Sequence, residues 1–202
     1  MTQRSISAGT TPNVVIKAGA SVSVKGTNDN RVLVKTEDRW GLKVERKGDY
    51  ITVQLGSDGE VSVPLASNVK IYAGKNIDAQ SLKGQVDAYA GLHLTIRDVY
   101  CLGHASAGGK MDVDCQTICE EAITYTAGGD LRFHIQSLTN AHIRVNDLGG
   151  YWEGRIGDGL ISVTLKAGGD VTLVTDQEVL ALPPNYILGK IEKPAASSKA
   201  EE

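Results

Sequence analysis

A small glycine-based corner recurs between short alternating apolar runs from about Asn68 to Glu178, and this recurrence limits the fold more than any other feature of the chain. It reads AGKNIDA at Ala73, AGLHLTI at Ala90, AGGKMDV at Ala107, AGGDLRF at Ala127, LGGYWEG at Leu148 and AGGDVTL at Ala167. The leading glycines stand at 74, 91, 108, 128, 149 and 168, so successive units are 17, 17, 20, 21 and 19 residues long. Self-similarity at this period points to a stacked, quasi-one-dimensional β architecture rather than a globular enzyme core.

Each unit predicts two strands of about five residues, one on either side of its corner. In the Ala127 unit, Ile123, Tyr125 and Ala127 alternate with Thr124 and Thr126, and Leu131, Phe133 and Ile135 follow the glycines. These apolar sets are expected to face inward. A coil of this length has a perimeter of about 60 Å at roughly 3.3 Å per residue, enough for two or three short faces. One coil cannot bury its apolar side alone, so each needs a stacked neighbour. The corner glycines are expected to serve the backbone, by a turn with positive φ and by leaving no side chain in the way of the coil above.

Residues 1–13 read as a polar arm, 14–66 as an N-terminal β lobe, 67–182 as the repeats and 183–202 as a partly disordered tail. In the lobe, VVI, VSV, VLV, LKV, ITV and VSV are separated by KAGA, GTNDN, EDRWG, RKGD and GSDGE, turn-forming punctuation that suits hairpins or first coils alike. The expected fold is all-β: a single-stranded β-helix or solenoid behind a hairpin-rich or irregular lobe.

Composition narrows the function. Aromatics are 5% with one Phe against 23 glycines, so the interior must be aliphatic. A net charge of −3 without any Lys/Arg stripe disfavours nucleic acid and anionic membranes as partners. The first fifteen residues contain no apolar run of signal-peptide length and no 18-residue apolar stretch occurs, so the expectation is a cytoplasmic protein without membrane insertion. Three cysteines, Cys101, Cys115 and Cys119, fit a reducing compartment better than a disulfide framework.

The run VSVPLASNVKIYAGKNIDAQSLKGQVDAYAG, with VPL leading into repeated AG and AGGD corners, resembles the DUF4097 family of adhesin-like bacterial β-solenoid proteins. GASVSVKGTNDNRVLV and KGDYITVQL fit the same style, and the similarity runs from about Val14 to Leu182. The resemblance implies a right-handed β-helix and an adhesin-like or scaffolding role, with no catalytic residues to carry over. Bactofilins, cytoplasmic β-helical polymers, are a weaker analogy of architecture alone.

No chemical constellation stands out. Cys101, His104, Cys115 and Cys119 offer zinc-type ligands, but alternation puts Cys101 and Cys115 inward and His104 outward, so the buried cysteines read as small core hydrophobes, while Cys119 lies near a corner and is left open between a reactive and an inert thiol. The third Gly of calcium-binding nonapeptides is missing. Asp112 and Asp114, and Glu153 with Asp158, read as surface carboxylates without a basic or His partner at compelling spacing. His93, His104, His134 and His142 read as outward or corner imidazoles. Tyr72, Tyr89 and Tyr125 precede corners at similar register and could form a stacked ladder, but core packing or coil-to-coil stacking is the simpler expectation. No catalytic, cofactor or metal site is assigned, and no enzyme is expected; a β-helical carbohydrate-active enzyme is the remote alternative.

Assembly is the leading expectation. Solenoid ends present unpaired backbone groups, and no capping helix is evident. The tail segment LALPPNYILGKIEK carries an apolar patch, Tyr186, Ile187, Leu188 and Ile191, placed to cap the coil or dock on another copy. The expected function is a structural scaffold that self-associates into an oligomer or filament; the alternative is an adhesin-like module binding protein or glycan on one face.

Overall fold

The computed structural model describes residues 1–38, 40–138, 140–148, 150–157, 159–175, 180–181 and 190–192, and every regular element among them is a strand. The apolar runs that precede the corners form one sheet. It is built from β2 (Asn13–Ala18), β6 (Tyr50–Leu55), β8 (Asn68–Ala73), the second halves of β9 (Ile77–Ala90) and β10 (Leu94–Ala107), β12 (Ala122–Ala127) and β16 (Ile161–Ala167). The runs that follow the corners form a second. Its members are β3 (Val22–Thr27), β7 (Gly59–Pro64), the first halves of β9 and β10, β11 (Met111–Ile118), β13 (Leu131–Ile135) and β17 (Val171–Thr175).

Within each sheet these strands pair in parallel and in register. One ladder runs Leu55, Ala18, Ala73, Ala90, Ala107, Ala127, Ala167 through the first sheet. Its counterpart in the second is Val61, Val24, Ala79, Ile96, Val113, Phe133, Leu173. Period-2 alternation turns both ladders inward. Ile123, Tyr125, Ala127, Leu131, Phe133 and Ile135 are all buried, as the pattern predicts. The two sheets meet across the interior, where the Tyr125 and Phe133 rings pack at 4.7 Å. Each fully buried aliphatic side chain in this stack contributes about 1.5–3 kcal/mol.

The corners stack by hydrogen bonds from rung to rung. Gly74 N–H donates to Ala18 O, Gly91 to Ala73, Gly108 to Ala90, Gly128 to Ala107 and Gly168 to Ala127, at 2.9–3.1 Å. Close approach, rather than φ, demands glycine there: a Cβ on Gly91 would sit inside van der Waals contact with the Gly74 carbonyl. The expected positive φ is corrected, since none of these corner glycines adopts it. Left-handed residues occur instead at the opposite bend, where Ser81 (φ 56) and Asp98 (φ 51) carry β9 and β10 from the second sheet to the first.

Chain order and spatial order part company at both ends. The β2–β3 rung lies between the β6–β7 rung and that of β8–β9. The lobe thus contains both coils and hairpins. The expected polar arm is strand β1 (Thr2–Ser7), antiparallel to β4 (Arg31–Thr36), which is antiparallel to β7. Strand β5 (Lys43–Lys47) pairs antiparallel with β6 as the edge of the first sheet.

The Leu148 unit is not a rung, which corrects the repeat count. β14 (Ala141–Asp147) and β15 (Gly150–Ile156) form an antiparallel hairpin, and the coil after Gly128 stacks directly against that of Gly168. Asp147 pairs with Gly150, which has φ 134; β14 then lies outside β16. Leu148 is 79% exposed where the rungs bury alanine.

Candidate ligand-binding face

Outward positions on β2, β8 and β9 make the face richest in ligand-binding chemistry. Alternation sends Asn13, Val15 and Lys17 outward from β2, Asn68, Lys70 and Tyr72 from β8, and Gln85, Asp87 and Tyr89 from β9. Parallel register aligns them in rows: Asn13 beside Asn68; Val15 beside Lys70, with Asp87 on the far side of Lys70; and Lys17 beside Tyr72, with Tyr89 on the far side of Tyr72. The Tyr72 and Tyr89 rings stack 5.0 Å apart with planes 12° from parallel. Tyr72 is exposed and Tyr89 half-buried. Tyr125 does not join them; Thr126, not Tyr125, aligns with Ser106 and hence with Tyr89, and Tyr125 points inward.

Charge is fixed around this pair. Lys70 Nζ lies 5.9 and 5.6 Å from the two ring centroids and 3.8 Å from Asp87 Oδ2. The Tyr72 hydroxyl, and then the negative ends of both tyrosines and Asp87, raise the Lys70 ammonium above its ordinary value. Burial raises Tyr89, against the pull of Lys70. The second Asp87 oxygen accepts from His104 N–H (2.9 Å), and Asn68 Oδ1 accepts from Gln85 N–H (3.1 Å), so two of the side chains are braced by the next rung. A shallow depression opens on the far side of Tyr72, lined by Val15, Lys17, Lys70, Tyr72, Gly74 and Tyr89 among others.

The other candidate residues have structural partners. The expectation of unpartnered carboxylates is corrected: Asp112 meets Arg132 at 3.4 Å and Asp114 meets His134 at 3.2 Å, one rung apart. Glu153 contacts Arg144 (3.0 Å) and His142 (3.7 Å); Asp158 lies outside the described residues. Spacing concealed the Asp112 and Asp114 pairs because a rung offset of 20 residues separates the partners, and the Glu153 pairs because they form across the β14–β15 hairpin.

A second ladder follows the corners and was missed by sequence reasoning. Two residues after the corner glycine, Asp58, Asn76, His93 and Asp130 each accept a backbone N–H from the facing rung: those of Ser21, His93, Lys110 and Asp170, at 2.7–3.3 Å. These side chains satisfy donors where the strand ladder is interrupted. The readable signal was a polar acceptor at the second place after Gly.

Cysteine phasing is also corrected. A register shift between Leu102 and Ala105 turns Leu102 inward and leaves Cys101 half-buried, where it is disulfide-bonded to Cys119 of the following rung, with Cα atoms 5.7 Å apart. Cys115 is the buried small hydrophobe expected, its thiol pushed up to about 12 by burial. Of the tail patch, Tyr186, Ile187 and Leu188 lie outside the described residues. Ile191 falls in β19 (Lys190–Glu192), which pairs in parallel with β17, Ile191 beside Leu173. Among the described residues no helix is long and apolar enough to cross a membrane.

No protein-family model matches the chain, and no curated protein matches it. Among solved structures, a crystal structure described as a "putative cell adhesion protein" from Clostridium sporogenes ATCC 15579 is similar at 12% identity and a TM-score of 0.42, over 86% of this chain and 99% of that one.

Proposed function

We propose that this is a non-catalytic, adhesin-like binding module that engages a glycan through the outer face of β2, β8 and β9. The observation that carries the reading is the stacked, solvent-facing Tyr72–Tyr89 pair, with polar side chains anchored along its flank. Sugar rings present apolar C–H faces that pack on aromatic rings and hydroxyls that need braced polar partners. This face supplies both, on rigid strands rather than loops.

Binding is placed ahead of assembly because of the sheet edge. Four of the five residues of β5 are charged, which opposes strand addition at that end. Arg46 also ties it to the β1 strand by donating to Ser7 O at 2.7 Å. Self-association through the other end or the tail stays a separate proposal, checked by light scattering across a range of protein concentrations.

Affinity electrophoresis in gels cast with a panel of soluble polysaccharides tests the binding reading. Wild type is expected to be retarded by at least one glycan and Tyr72→Ala/Tyr89→Ala to migrate freely. Equal retardation of both proteins by every glycan, or none of either, would sink it.

A further inference from the structure

We infer that the ligand of this face is an acidic saccharide, its ring laid on the open side of Tyr72 and its carboxylate held by Lys17; the inference rests on the glycan reading above. One side of Tyr72 is covered by Tyr89. The other side looks toward β2, where the depression lies, so a planar or ring-shaped group can stack there.

The floor and rim of that surface set the ligand's chemistry. Half-exposed Val15 supplies an apolar floor under the ring. The titratable groups facing it are Lys17, Lys70, Asp87, Tyr72 and Tyr89. Lys70 is committed to Asp87 and to the two rings, which leaves that pair neutral. Lys17 stands beside Tyr72, has Gln54 on its other flank, and makes no ion pair with any described residue. The depression therefore carries one uncompensated positive charge, placed one strand spacing from an aromatic face. A neutral sugar would leave that charge unused. A carboxylate on the stacked ring would form a charge-assisted hydrogen bond with it.

The test compares polygalacturonate with its fully methyl-esterified form, which keeps the rings and removes the charge, by isothermal titration of the full chain at low and at moderate salt. Acidic-saccharide recognition predicts binding of polygalacturonate, about tenfold weaker binding of the ester, and a similar loss in Lys17→Gln, an exposed site whose substitution leaves the melting temperature unchanged. Tyr72→Ala is expected to weaken both polymers. Equal affinity for the two polymers with loss in Tyr72→Ala overturns the acidic class while the glycan face stands. Binding of polygalacturonate that neither Lys17→Gln nor Tyr72→Ala alters overturns both readings, whereas binding of neither polymer alongside Tyr72-dependent retardation by a neutral glycan of the panel overturns the acidic class alone.

Discussion

Gly91→Ala puts the stacked corners to a quantitative test. An added Cβ at this position would meet the carbonyl oxygen and carbon of Gly74, backbone atoms of the rung below that no rotamer change can move aside. Relief requires the two corners to separate. That strains the hydrogen bonds from Gly91 N–H to Ala73 O (2.9 Å) and from Leu92 N–H to Lys75 O (2.8 Å). Two weakened bonds at about 1 kcal/mol each, with local overpacking of about 1–2 kcal/mol, give an expected loss of about 3–4 kcal/mol. Urea unfolding followed by circular dichroism reads this as a lowered midpoint. The matched Gly91→Asn variant separates the two reasons a corner can need glycine. Asn tolerates a left-handed backbone, so it would rescue a φ requirement, whereas a steric requirement leaves it as damaging as Ala. A Gly91→Ala protein within 0.5 kcal/mol of wild type, or an Asn variant clearly more stable than the Ala variant, would refute close approach as the cause.

Other consequences are simpler to check. Mass spectrometry of the intact, unreduced protein is expected to find it about 2 Da lighter than its fully reduced form, with Cys101 and Cys119 in one linked peptide pair; closing this 18-residue separation is expected to add about 3 kcal/mol of stability, lost in Cys101→Ser/Cys119→Ser. Cys115 should resist alkylation by iodoacetamide at pH 8 until the protein unfolds, since burial holds its thiol protonated; labelling of the native state at the rate of a free thiol would contradict its place in the core. The Lys110 ammonium, 2.9 Å away, and the Asp170 N–H hold the Asp130 carboxyl below its ordinary value. Its folded pKa is depressed, so its contribution to stability is present above the ordinary Asp range and is lost as pH falls through the folded value; in an NMR pH titration Lys110→Gln should shift the midpoint of the Asp130 carboxyl titration to higher pH, and an unchanged midpoint would contradict the pairing. Phe133→Ala, which opens a cavity against Tyr125, should cost about 3–5 kcal/mol.

Much of the fold was legible because it rests on local chemistry. Period-2 alternation placed Ile123, Tyr125, Leu131 and Phe133 inward, and the AG corners marked where one sheet passes to the other. What failed were features set by distant partners. AGG at Ala107 and LGG at Leu148 spell the same turn, yet one is a rung and the other a hairpin; the difference lies in whether the strand after the glycines finds its partner one rung away or folds back on its own predecessor. The order of the β2–β3 and β6–β7 rungs is likewise a choice between parallel neighbours of nearly identical pattern. Cys101 escaped because a single bulge after Leu102 reverses the phase of alternation. The candidate face was half visible: Tyr72 and Tyr89 shared a register in sequence, while the bracing of Asn68 and Asp87 by backbone groups 17 residues on could be seen only once the rungs were aligned.

Backbone nuclear Overhauser effects across the corners test the stacking most directly. In uniformly labelled protein, contacts are expected between the Ala127–Gly128 and Ala167–Gly168 corners, together with antiparallel contacts between Val145 and Trp152. Contacts instead joining the corner at 128 to that at 149, and 149 to 168, would restore an uninterrupted coil and contradict both the direct stacking of β12 on β16 and the β14–β15 hairpin.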